Sequence, residues 1–162
     1  MHASMVHGAA TSSQFLFDVR VQPAAAHAEV TAGPTPAVIG SLDPALKGQP
    51  LVRYDLLYIL PATEIGLAAS PYGSGASGEV HRGSLEFDIA AYDGSGRLVT
   101  GLSQTGQLAL KTDEVREFVK SPFQYTQQID LPPGALFLRV GILDGVSHKV
   151  GTLEIPLTVA RQ

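Results

Sequence analysis

Two acidic side chains on one face of a predicted strand are the residues of this chain best suited to binding chemistry. In the segment 84–92, Glu86 and Asp88 alternate with apolar residues, so both carboxylates face away from the core, and Asp93 follows in the next turn. Carboxylate and backbone carbonyl oxygens bind Ca²⁺ through about six to eight ligands. A calcium site is one hypothesis for this face, and a solvated acidic face is the other.

The remaining acids do not gather around this pair if the strands after residue 84 alternate in direction. Asp93 and Asp130 then lie near one end of the domain, whereas Asp144 lies near the other. A solvated face is therefore the preferred interpretation, and no residue is assigned as a metal ligand.

The histidines are spread along the chain without the spacing of a metal site. No two are separated by two or four positions, the spacings that aim two imidazoles at one ion. We expect all of them at surface or turn positions. They are His2, His7, His27, His81 and His148.

Two glycine-rich strings resemble catalytic motifs only in part. Ser74-Gly75-Ala76-Ser77-Gly78 is not followed by the Gly-Lys-Ser/Thr and helix of a phosphate-binding loop. Gly94-Ser95-Gly96 lies in a predicted hairpin turn, not in the strand-to-helix turn of a nucleophile elbow. The chain has no cysteine, which excludes thiolate catalysis and zinc–thiolate sites. We therefore predict no catalytic residue, no cofactor-binding residue and no enzyme activity.

A sugar-binding platform would need exposed aromatic rings, and this chain has no tryptophan. Tyr54 and Tyr58 share strand parity with Leu56, which predicts a place in the core or at its boundary. Tyr72 lies in a glycine-rich loop and is the tyrosine expected to be exposed. The tyrosines are dispersed, at Tyr54, Tyr58, Tyr72, Tyr92 and Tyr125.

The charge balance argues against nucleic acid as a partner. The 162 residues include 11 Lys and Arg against 15 Asp and Glu, a net charge of −4, and no basic cluster. No apolar run approaches the roughly 20 residues that cross a bilayer, and the first 13 residues lack the apolar core of a signal peptide. We therefore expect no membrane span.

The elements that position these side chains are mostly strands, because apolar residues recur with a period of two. One helix is predicted at 112–120, where Pro122 follows its last turn. The strands are predicted at 14–21, 51–60, 84–92, 97–110, 123–131 and in a C-terminal hairpin. This pattern predicts an all-β fold, an immunoglobulin-like antiparallel β-sandwich of about seven strands with one short helix.

The register of the C-terminal hairpin follows from its apolar pattern. If the loop is 145–148, the apolar residues of both strands share the buried face, in the pairs Leu136–Leu157, Leu138–Ile155 and Val140–Leu153. The same register sets Arg139 opposite Glu154 on the outward face, a cross-strand pair that contributes up to about 1 kcal/mol.

The domain organisation is read from composition. Residues 1–13 are small and polar, and are expected to be a disordered leader or a cloning remnant. Residues 14–159 are expected to form a single sandwich domain. Within it, the Pro/Ala/Gly-rich stretch 22–50 predicts a long surface connection, and the Gly/Ser-rich stretch 70–79 predicts a flexible loop.

Several sequence runs in the C-terminal half resemble those of a known protein family. They are Tyr92-Asp93-Gly94-Ser95-Gly96-Arg97, Gln127-Gln128-Ile129-Asp130-Leu131-Pro132-Pro133-Gly134, Phe137-Leu138-Arg139-Val140-Gly141 and Gly151-Thr152-Leu153-Glu154-Ile155-Pro156-Leu157-Thr158-Val159. In that order, and over roughly residues 14–159, the chain resembles the C-terminal region of the "VWFA-related" acidobacterial family. Those proteins begin with a von Willebrand factor type A domain and generally carry an export signal.

The family's recognisable metal site does not carry over to this chain. That site opens with Asp-x-Ser-x-Ser in the type A domain, whereas Asp93-Gly94-Ser95-Gly96-Arg97 ends in arginine and lies in a hairpin. The resemblance implies a non-catalytic structural or protein-interaction module of an exported, cell-envelope or extracellular protein. Its partner would be a neighbouring domain or another protein, with the oligomeric state left open. The alternative is a sandwich that binds calcium or a glycan.

Overall fold

The computed structural model describes residues 2–24, 50–71 and 79–160, apart from the side chains of His2 and Pro71. In these residues, one α-helix, α1 (Thr112–Phe118), and two short 3-10 turns, His2–Met5 and Ala62–Glu64, accompany the strands. The strands are β1 (Asp18–Pro23), β2 (Val52–Leu60), β3 (Ala68–Pro71), β4 (Glu79–Asp93), β5 (Leu98–Lys111), β6 (Phe123–Leu131), β7 (Gly134–Asp144) and β8 (Val150–Val159).

These strands form two antiparallel sheets. The small sheet has the order β1–β2–β6. In the large sheet, β4 is central: β5 pairs along one side, β7 pairs along the other, and β8 pairs with β7. The short strand β3 pairs with the beginning of β4. The predicted fold class, an all-β immunoglobulin-like sandwich with one short helix, is confirmed, with eight strands in the described residues.

The core lies between the sheets because alternate residues of each strand point inward. Along β2 the burial alternates at every residue from Val52 to Leu60, as a strand with one face in the core requires. The innermost side chains are fully buried and come from both sheets: Leu56, Tyr58, Leu60, Leu85, Phe87, Ile89, Leu138, Val140 and Ile142.

One polar link crosses the apolar core. The Tyr58 hydroxyl donates to Gln127 Oε1 at 2.8 Å, and Gln127 Nε2 donates to the Phe87 carbonyl at 3.1 Å. Burial raises the pKa of the Tyr58 hydroxyl well above its usual range, so it remains a donor. The link joins β2 and β6 of the small sheet to β4 of the large sheet and satisfies buried polar atoms that would otherwise be costly.

The C-terminal hairpin has the predicted register. Leu136 pairs with Leu157, Leu138 with Ile155 and Val140 with Leu153, and Arg139 lies opposite Glu154. The hairpin loop ends at His148, whose φ of 58° places it in the left-handed region. This confirms that the alternating aliphatic residues determine the pairing of β7 with β8.

Other predicted elements shift at their ends. The first strand, predicted at 14–21, is found at Asp18–Pro23, although Phe15 is also buried against the core. The predicted bounds of the 70–79 loop are wrong at both ends, because Ser70 and Pro71 belong to β3 and Glu79 belongs to β4. The rest of that loop, with Tyr72 and the string Ser74–Gly78, lies outside the described residues. So does most of the connection predicted at 22–50, with His27, whereas Gln22 and Pro23 extend β1.

The expectation of a disordered leader is wrong for residues 2–13, named here the N-terminal arm. The arm begins with the 3-10 turn, and Met5 is only 3% exposed. Farther along, Ser12 accepts from the Thr152 backbone N–H at 2.8 Å, which fixes the arm beside the start of β8. The arm is ordered because it covers apolar residues on the outer face of the large sheet.

In the described part of the chain, no helix is both long enough and apolar enough to span a membrane.

Candidate functional site

The sandwich is open along one side, between the edges of its two sheets. A groove of about 460 Å³ runs between β1 and β8. Its floor consists of inward-facing residues of the two strands that are only half-buried and still touch the core. The lining residues are Phe17, Asp18, Val19, Val21, Leu153, Ile155, Pro156 and Leu157.

Both walls of this groove are sheet edges. In the described residues, β1 pairs only with β2, and β8 pairs with β7 and forms one isolated bridge at its start, between Gly151 and Ser13. Within the described residues, the second edge of β8 is covered only at its start, where Thr152 donates to Ser12 of the arm and Phe15, just after the arm, donates to the Val150 carbonyl. Pro156 cannot donate a backbone hydrogen bond, which interrupts the free edge of β8. The free edge of β1 has no proline between Asp18 and Gln22, so it is the more complete template for another strand.

The opposite side of the sandwich is closed by side chains. The ring of Tyr125 stacks on Phe87, with 4.1 Å between centroids, and its hydroxyl donates to Gln104 Oε1 at 3.3 Å. These contacts join β6 of the small sheet to β4 and β5 of the large sheet. The apolar groove is therefore a feature of one side of the molecule.

The acids considered for calcium are separated, and their oxygens accept hydrogen bonds locally. Asp93 accepts from Ser95 and Arg97 within its own turn, and these bonds hold the pKa of that carboxyl well below its usual range. Asp130 forms a two-pronged pair with Arg53, at 2.8 and 2.9 Å. Asp144 is separated from Asp93, as expected, because Asp144 ends β7 and pairs with Leu85, whereas Asp93 pairs with Leu136 near the beginning of β7.

Asp144 fastens two loops together. Its carboxylate accepts from the backbone N–H of Gly66 at 2.6 Å and from those of Val146 and Ser147 at 2.8 and 3.1 Å. Burial by itself would raise the pKa of this carboxyl, but the three backbone donors outweigh it and hold the pKa below its usual value. In residues 2–24, 50–71 and 79–160, no three His, Asp or Glu side chains come together in a way that could hold a metal ion.

The tyrosines considered for glycan stacking lie mostly inside the fold. Tyr54 and Tyr58 are in the core, as predicted, and Tyr125 is half-buried against Phe87. Tyr92 faces outward from the large sheet but is only 9% exposed, because the arm covers it and its hydroxyl donates to the Met5 carbonyl at 2.7 Å. None of these four rings offers a solvent-facing platform.

The histidines with described side chains occupy three different settings. His7 lies on the ring of Phe137, with 4.6 Å between centroids, and its Nδ1 is 3.1 Å from Glu154 Oε2. His81 Nε2 is 3.3 Å from Thr112 Oγ1, and His148 is exposed in the β7–β8 turn. His148 lies in an exposed turn, as expected for the histidines, whereas His7 helps to hold the arm against the large sheet.

The outer face of the large sheet holds the residues that the sequence reasoning missed. Arg139 points outward and lies opposite Glu154, as predicted, yet it is only 1% exposed. Asp88, predicted to be solvated, is fully buried. The sequence does carry a signal that this face is covered, namely the apolar character of its outward positions. Ala90 and Phe137 lie where an exposed sheet would carry polar residues.

Comparison with known proteins gives no family. No family model matches the chain, and no curated protein is similar to it. Among solved structures, the chain is similar to a crystal structure from Bordetella pertussis described as the "Putative ApaA Protein". The two share 14% sequence identity over 91% of this chain and 97% of that one, with a TM-score of 0.39. A likeness of this size assigns neither a family nor an activity.

Proposed function

We propose that this protein is a non-catalytic interaction module that binds an extended segment in the groove between β1 and β8. The observation that carries the proposal is an apolar groove whose walls are free sheet edges. An added strand would pair with the backbone of β1 and turn alternate side chains toward Leu153, Ile155 and Leu157. Main-chain pairing supplies affinity and the apolar floor supplies selectivity, as in other cases of strand addition.

The segment would come from a neighbouring domain of the same protein or from another protein. The resemblance to the C-terminal region of the VWFA-related family supports this setting, because in that family the region accompanies a type A domain in an exported protein. We therefore propose an extracellular or cell-envelope location. Calcium and glycan binding are less favoured, because Asp93, Asp130 and Asp144 are occupied by internal hydrogen bonds and the described tyrosine rings are covered.

Two synthetic peptides of identical composition test the proposal. In one, valine and threonine alternate between terminal lysines; in the other, the same residues are arranged in blocks. Only the alternating peptide can place all its valines on one face of a strand. We expect the chain to bind it more than about tenfold more tightly, because burying several valine side chains contributes well over 1.4 kcal/mol.

A matched pair of variants tests whether the peptide binds in the groove. Ile155→Thr keeps a β-branched side chain but makes the floor polar, and we expect it to weaken binding of the alternating peptide. Thr158→Ala changes an exposed position of the same strand and should leave binding unchanged. Equal binding of the two peptides, or binding that Ile155→Thr does not alter, would contradict the proposal.

A further inference from the structure

The outer face of the large sheet holds a peptide segment in the structure itself. The side chain of Met5 is buried against Ala90 and Tyr92, and Leu98 and Phe137 border the same cluster. This cluster is separate from the core between the sheets. The arm therefore binds to a sandwich whose main core is formed without it.

The face recognises the arm mainly through backbone atoms. Arg139 Nε donates to the Ser4 carbonyl at 2.9 Å, and Arg139 Nη2 donates to the Ala10 carbonyl at 2.7 Å. Tyr92 donates to the Met5 carbonyl, and Glu154 accepts from the Gly8 backbone N–H at 3.1 Å. Because these contacts do not depend on side-chain identity, another segment of similar shape could make them.

One group on the outward side of β4 is not satisfied by this arrangement. Asp88 lies two residues before Ala90 on the same side of the strand and opposite Gly141, which has no side chain. Its exposure is 0%, and neither carboxylate oxygen has a hydrogen-bond partner. A buried carboxylate without a donor is costly, so the arm leaves the face incompletely matched.

The charges of the face indicate what would match it. Asp88 and Glu154 are acidic, Arg139 is the basic residue between them in the sheet, and Arg139 is already engaged by carbonyls. The arm places an imidazole, that of His7, beside Glu154. It brings no cationic group within hydrogen-bonding distance of Asp88.

We propose that this outer face is a second binding surface, for a partner segment that carries a lysine or arginine side chain for Asp88. The N-terminal arm occupies the surface in the free chain and competes with that segment. The partner offers carbonyls to Arg139 and Tyr92, places an unbranched apolar side chain beside Ala90, and supplies the donor that Asp88 lacks. This surface is distinct from the β1–β8 groove, so its test does not depend on the groove.

The first experiment uses the full chain with its arm released. Met5→Glu places a charge in the apolar cluster and should free the arm, whereas Val6→Glu changes a side chain that is 55% exposed and is the matched control. The probe is a synthetic peptide with the sequence of residues 2–13. We expect it to bind the Met5→Glu chain, and to bind the wild-type and Val6→Glu chains about tenfold or more weakly, because there a tethered arm competes. Met5→Ser is the milder substitution if Met5→Glu does not fold.

The second experiment tests the role of Asp88. A set of peptides carries one lysine at each successive position of the 2–13 sequence. We expect at least one to bind the Met5→Glu chain about tenfold more tightly than the parent peptide, as a charge-assisted hydrogen bond permits, and to lose that gain when Asp88→Asn is added.

Three results would overturn the inference. One is that no peptide binds the folded Met5→Glu chain. Another is that no lysine position tightens binding, or that the gain survives Asp88→Asn. The third is a wild-type dimer that Met5→Glu abolishes, which would make the arm of a second copy the occupant instead of a basic partner segment.

Discussion

At the residue scale, Arg139 shows how a side chain on the outward face of a strand becomes structural. Its guanidinium spans the arm and the sheet, with donors to two arm carbonyls and, at 3.2 Å, to Thr152 Oγ1. The positive charge of the guanidinium makes these bonds stronger than neutral ones, since charge-assisted hydrogen bonds contribute about 1.5–3 kcal/mol and neutral ones about 1 kcal/mol.

Replacing this side chain should therefore be costly. We expect Arg139→Ala to lower the free energy of unfolding by about 2–4 kcal/mol, because the carbonyls of Ser4 and Ala10 lose their donor. Urea denaturation measures the change. Arg116→Ala, at an exposed position of α1, is the control and should change stability by about 0.5 kcal/mol or less. Equal losses for the two variants would show that Arg139 is solvated.

Asp144 should make stability depend on pH. An aspartate in the unfolded chain has a pKa of about 3.9, and the folded pKa of Asp144 is lower, so the folded state binds fewer protons between these two values. The stabilisation that the Asp144 carboxylate contributes is therefore fully present above the unfolded pKa and is lost as the pH falls through the folded pKa.

The neutral variant Asp144→Asn isolates that contribution. We expect it to be less stable than the wild type by about 1–3 kcal/mol at pH 7, because three backbone donors lose a charged acceptor. The difference should shrink as the pH drops below about 4. Urea denaturation at a series of pH values measures it, and a difference that stays constant down to pH 2 would contradict the assignment.

At the element scale, a close approach between β8 and the segment that joins the arm to β1 fixes the path of the chain around the sheet edge. Gly151 lies against the backbone of Phe15, and a β-carbon at this position would collide with the Phe15 carbonyl oxygen. Phe15 is buried in the main core, so it cannot move away without exposing apolar surface.

Adding that β-carbon should consequently force the backbone of Phe15 away from β8. We expect Gly151→Ala to destabilise the chain by about 1–3 kcal/mol, as other forced contacts in packed regions do. Gly94→Ala is a suitable control, because a β-carbon there meets nothing within 4 Å. Thermal denaturation compares the two variants, and equal Tm values would mean that the backbone of Phe15 is free to withdraw.

The elements differ in how well the sequence predicts them. Strands β2, β6 and the β7–β8 hairpin follow from local alternation of apolar residues, which is why their bounds or register are predicted closely. The short strand β3 has no such pattern, since it spans Ala68–Pro71 and forms only by pairing with an extended β4. Its existence is decided by a neighbour in space and not by its own residues.

At the scale of the whole molecule, the two surfaces proposed for binding arise from how the layers meet. The groove exists because the small sheet ends at β1 and the large sheet ends at β8, while the other side is closed by Tyr125, Phe87 and Gln104. The covered outer face exists because a segment distant in sequence folds back over β4 and β7. Periodicity within a strand shows neither event, so it predicts a solvated Asp88 and places Arg139 on the outward face without indicating that this face is covered.

Amide hydrogen exchange tests the central claim most directly, because it shows which strand accepts a bound segment. The experiment compares the chain alone with the chain saturated by the alternating valine–threonine peptide. We predict that exchange slows at residues 18–22 of β1, where the free edge gains a partner, and stays unchanged in β5 and at the free edge of β6. Slower exchange confined to β5 or β6, or no change at any strand, would contradict binding in the β1–β8 groove.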